Sequence, residues 1–152
     1  MIRHHNRFTS AFVATLALTA TLPSASAAAA KKHRNVHFTE TIVGAAISAD
    51  QSVFSLHDSI HGNGAGTQTI TISGSGGSDR EITYYGNATS TSKGTFTLGT
   101  PNANGIATLT GSGHDTSGTG KLKHIKSTYT YTGTYNTKTG VYNLALTGAE
   151  SF

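Results

Sequence analysis

The stretch Ser127-Thr-Tyr-Thr-Tyr-Thr-Gly-Thr-Tyr135, with Asn136-Thr-Lys-Thr-Gly140 and Val141-Tyr-Asn-Leu-Ala-Leu-Thr147 after it, decides the fold. In both flanking segments apolar and polar residues alternate with period two, which sends one set to a buried face and the other to water. The segment between them ends in Gly140, suited to a positive φ, so the unit reads as a β-hairpin. Threonine fills the polar set. Its branched side chain favours strands, and its hydroxyl stays hydrated without charge.

The same alternation extends N-terminally, with helical periodicity almost nowhere. Val36 to Val43 opens the domain as a strand. Gln51 to Ile60 places Phe54, Leu56 and Ile60 on one face and Val53, Ser55 and His57 on the other. Gly62 to Gly66 reads as a turn. Thr67 to Ser73 follows with Ile70 and Ile72 inward, and Gly74 to Asp79 turns the chain again. Glu81 to Asn87 is a strand carrying Ile82 and Tyr84. Gly94 to Leu98 and Ile106 to Thr110 are two more. Gly111 to Gly120 reads as a loop and Lys121 to Lys126 as a weaker strand. About eight strands at a spacing of roughly 12 residues, without helices, predict an all-β domain. A single antiparallel up-and-down barrel is favoured over a β-sandwich because closure removes the exposed edges.

Ahead of this domain, Met1 to Arg7 is positively charged, Ala11 to Leu22 is apolar, and Ala25-Ser-Ala27 is a run of small residues. These are the three parts of a secretory signal peptide. The apolar run is shorter than the roughly 20 residues that a membrane-spanning helix requires. Cleavage after Ala27 leaves a basic, flexible leader over residues 28–35, including Lys31-Lys-His-Arg34, and a domain over residues 36–152. With no cysteine in the chain, neither a lipid-modified cysteine nor a disulfide is available. From Asn35 onward six basic residues face seven acidic ones. The basic character of the whole sequence therefore belongs to the signal segment and leader, and a nucleic-acid partner is not expected.

The phrase Gly118-Thr-Gly-Lys-Leu-Lys-His-Ile125, leading into the Tyr-rich strand pair, resembles the C-terminal half of small secreted bacterial proteins with an allene-oxide-cyclase-like or dirigent-like barrel. The resemblance implies an eight-stranded barrel whose lumen takes an apolar small molecule. Its characterised members are isomerases and guides of phenoxy-radical coupling. Their catalytic carboxylates and arginine have no matching positions here, since beyond the signal segment the only arginines are Arg34 and Arg80.

Candidate chemistry is sparse. His57 and His61 stand four apart, which on a strand separates them by about 13 Å. A metal at His57, Asp58 and His61 would need a sharp bend near Gly62. His114-Asp115 lies in a glycine-rich segment without a nucleophile elbow. Most carboxylates fall at expected turns. Glu40 and Asp58 are the exceptions, because they share strand parity with apolar neighbours, and an inward carboxyl is a functional candidate. Tyr129, Tyr131 and Tyr135 share one face, with Tyr84 on another strand, and such rings can wall a ligand cavity. The expected function is a secreted, non-catalytic barrel that binds an apolar small molecule or a surface partner through Tyr84, Tyr129, Tyr131, Tyr135, Glu40 and Asp58. No catalytic set, metal or cofactor is expected. The alternatives are a cyclase- or dirigent-type enzyme using Glu40 or Asp58, and a cell-surface structural or adhesive module.

Overall fold

The computed structural model describes residues 35–151. Eight strands follow in order: β1 (Val36–Ala46), β2 (Gln51–Asp58), β3 (Gly62–Ser73), β4 (Gly76–Tyr85), β5 (Ala88–Leu98), β6 (Ile106–Gly118), β7 (Lys126–Asn136) and β8 (Val141–Ser151). Each pairs antiparallel with the next, and β8 returns to β1, closing the barrel. The closing seam runs from Val36 opposite Glu150 to Ala45 opposite Val141. The expected signal peptide, its cleavage after Ala27 and the expected leader fall outside the described residues, apart from Asn35. Among the described residues no helix is long and apolar enough to cross a membrane.

Three segments read as turn or loop are wholly or partly strand: of Gly74 to Asp79 only the first two residues turn, and β4 pairs with β3 from Gly76. β3 begins at Gly62, and β6 continues through Gly111–Gly118 because its backbone pairs with β5 on one side and β7 on the other. Conversely, Lys121 to Ile125 is not a strand. It forms a 3-10 turn at Gly120–Leu122 and a short tail that crosses one end of the barrel. The final hairpin is as expected, with Gly140 at φ 75°.

Glycine makes the interior fit. Six inward aromatic rings each lie against a glycine directly opposite on the adjacent strand: Tyr142 on Gly44, Phe54 on Gly66, Phe96 on Gly77, Tyr131 on Gly111, Tyr129 on Gly113 and Phe38 on Gly148. A methyl group at Gly113 would sit 2.6 Å from the Tyr129 ring, so only a bare backbone leaves room for it. The rings thus lie against the glycine backbone of the wall, inside the barrel. An apolar cluster of Ile42, Phe54, Leu56, Tyr142, Leu144 and Leu146 occupies the β8–β1–β2 side. In a smaller one, Leu122 and Ile125 of the β6–β7 connection pack on Ala88 at the start of β5 and on Tyr85.

Candidate functional site

Strand parity sends an unusual set of side chains inward. Glu40, Asp58, Asp79 and Glu150 are buried, and Glu81 and Asp115 are partly so, while Asp50 alone among the described acids is exposed. All six described lysines and arginines, Arg80, Lys93, Lys121, Lys123, Lys126 and Lys138, are exposed. The near-zero net charge of the domain therefore hides a separation, with acids within and bases without.

Register builds much of the polar interior directly. Ser52, Gln68, Glu81, Ser92 and Asp115 stand opposite one another along β2, β3, β4, β5 and β6. Ser52 Oγ donates to Gln68 Oε1 at 2.9 Å, and Gln68 Nε2 donates to Glu81 Oε1 at 2.9 Å. Ser92 Oγ donates to the second Glu81 oxygen at 3.2 Å. Tyr142 joins the chain through Ser52, 3.0 Å away. On the far side of Asp115, Ser127 donates to its carboxylate, and Ser127 is register-paired with Glu150.

At the capped end the groups converge on His61, just before β3. Its Nε2 lies 3.1 Å from both Glu150 oxygens. The imidazole also packs against Tyr85, with ring centroids 5.3 Å apart. Tyr85 Oη donates to Glu40 Oε2 at 3.0 Å, and Glu40 stands opposite Asp58. Asp58 has a structural duty as well: its Oδ1 accepts the backbone N–H groups of Ile60 and His61, holding the β2–β3 turn. The enclosed space among Glu40, Asp58, His61, Tyr85, Asp115 and Glu150 is about 40 Å³, room for water molecules only.

Burial weakens four of these carboxylic acids. Burial pushes Glu40 up to about 7, against the pull of the Tyr85 hydrogen bond and with the push of Asp58. Burial, then the neighbouring Asp79 and Glu40, push Glu81 up to about 8. Asp79 and Asp115 are raised for the same first reason. His61 is raised by its hydrogen bond to Glu150, which outweighs desolvation. Acids and bases of shifted strength in one small enclosure are a recognised mark of a functional site. No family model, no curated protein and no solved structure matches this chain.

Of the expected site residues, Glu40 and Asp58 face the lumen as read. Tyr129 and Tyr131 do too, and burial raises both phenols; Tyr135 lies further along the same face, packed on the apolar cluster. Tyr84 does not belong. It points outward at 49% exposure, as does Ile82, and the inward residue is its neighbour Tyr85. Arg80 carried the missed signal: it shares parity with Ile82 and Tyr84, and a lone arginine stays in water, so Asp79, Glu81, Thr83 and Tyr85 must turn inward. His57 and His61 are not brought together. His57 faces out and contacts Asn63, on the opposite side of the strand from Asp58.

Proposed function

We propose that the protein is an exported binding barrel without chemistry of its own, whose site is the capped end of the lumen. The observation that carries this is the excess of hydrogen-bond acceptors there: Glu40, Asp58, Asp115 and Glu150 gather around one imidazole and one phenol. A fold gains nothing in stability from burying such groups, which burial alone destabilises. Their chemistry fits a small guest rich in N–H and O–H donors or bearing positive charge. The apolar guest suggested by the tyrosines is less well supported, because those rings lie on glycines and occupy the lumen themselves. Entry requires the 119–125 cap to move, since the enclosed space of about 40 Å³ is too small for a metabolite.

Native mass spectrometry on protein recovered from its own culture medium tests this reading. The expected result is a chain beginning near Ala28 with a small polar molecule attached, lost in a Glu40→Gln, Asp115→Asn double variant. A bare chain, unchanged by a panel of amines and polyols, overturns it.

One observation favours a second reading, an acid–base enzyme of the cyclase or dirigent type that the 118–125 phrase resembles. Burial pushes Glu40 up to about 7 in hydrogen-bond contact with Tyr85, the placement of a general acid or base. Recovery of the bound molecule unchanged after incubation separates a carrier from such an enzyme.

A further inference from the structure

The outer wall is ordered rank by rank. Following the register around the barrel, Thr71, Ser78, Thr95, Ser112, Thr130, Thr147 and Thr39 stand side by side on consecutive strands, all exposed. The next outward rank towards the capped end is Thr69, Arg80, Lys93, His114, Thr128, Ala149 and His37. Arg80, Lys93 and His114 are therefore direct neighbours on three strands, about 4.8 Å from one to the next. Lys126 lies one rank further on, and the cap adds Lys123 and His124, all exposed. Among the described residues no exposed acidic side chain answers them. Asp50, the one exposed described acid, belongs to the β1–β2 turn at the opposite end. Asp115, although it follows His114 in the chain, points inward to Ser127.

We infer that this face, centred on Lys93, His114 and Lys126, docks an acidic polysaccharide. The charge calls for a polyanion, and the adjoining rank of hydroxyls calls for one that is itself rich in hydroxyl groups. Nucleic acid fits less well. Single strands are held by stacking successive bases on exposed aromatic rings, and among the described residues Tyr84 on β4 is the one exposed phenylalanine or tyrosine, with those of β5 to β8 turned into the lumen. Duplex DNA is read by an element that enters its major groove, and this face is built of barrel strands, with no α-helix among the described residues to enter one.

Heparin fragments serve as the polyanionic probe, with neutral dextran and duplex DNA of equal charge as comparisons, in calorimetric titrations over a range of salt. Heparin should bind and dextran should not. Lys93→Gln with Lys126→Gln should lower the slope of log affinity against log salt by about two. Lys138→Gln, on the turn at the far end, should leave it unchanged. These are exposed side chains, and circular dichroism checks that each variant keeps the barrel. Absence of heparin binding, an equal effect at Lys138, or duplex DNA binding as tightly as heparin would each overturn the assignment.

Discussion

Glu40 and Tyr85 show what one buried hydrogen bond controls. Tyr85 is the donor that keeps the Glu40 proton from being held still more tightly, because burial raises this carboxyl and the phenol pulls it back. Tyr85→Phe removes the donor without emptying the space. The Glu40 titration seen by carboxyl NMR should then move above 7, with a stability loss of about 2 kcal/mol at neutral pH. Glu40→Gln makes the complementary test. A raised folded pKa means stability that is complete below the unfolded value of 4.5 and lost as pH rises through about 7, a loss of about 3 kcal/mol from this one group. The amide variant should lack that part of the loss in urea unfolding at the two pH limits. If it loses as much as the parent, the proton resides elsewhere. Glu40 and Asp58 were legible in the sequence because apolar residues share their parity. Glu150 was not, since its neighbours Gly148 and Ala149 mark no phase, and its partner His61 comes from the other end of the domain.

Among the elements, β4 shows why a strand can be recognised and its face still misread. Ile82 and Tyr84 look like the buried pair by hydropathy, yet the wall of a lumen already lined by rings from other strands leaves them outside. Period two was plain; which phase faces in depended on partners distant in sequence. β6 was hidden for another reason: Gly111 and Gly113 suggest a loop, but they are the seats of Tyr131 and Tyr129. Gly111→Ala should therefore cost about 2 kcal/mol in chemical denaturation, because the added methyl collides with the Thr95 backbone carbonyl as well as with the Tyr131 ring. The cap depends on one side chain. Leu122 is fully buried, and the hydroxyl of Thr119 meets the Thr89 hydroxyl at 2.8 Å beside it. Leu122→Ala should cost about 3 kcal/mol. If the cap is the entrance, the same change should raise amide exchange over residues 119–125 more than in β1 or β8; equal acceleration everywhere would mean that the cap and barrel open as one.

For the whole molecule, Glu40, Asp79, Glu81 and Asp115 are raised, chiefly by burial, and His61 is raised by its bond to Glu150. Folding therefore takes up protons, and stability should decline as pH rises from about 4.5 through 7 and 8, the folded values of Glu40 and Glu81. A thermal melting series across that window checks it, and a midpoint that climbs with pH would contradict it. The closing seam has a consequence in time. β1 is joined to β8 over its length from Val36 to Ala45, so the first strand lacks one of its two neighbours until the last is available. Contacts between the two extremes of a chain are the slowest to form. A polypeptide threaded through a pore from its leading end would therefore stay pliable throughout its passage, and the ring would lock only once its trailing strand had come through.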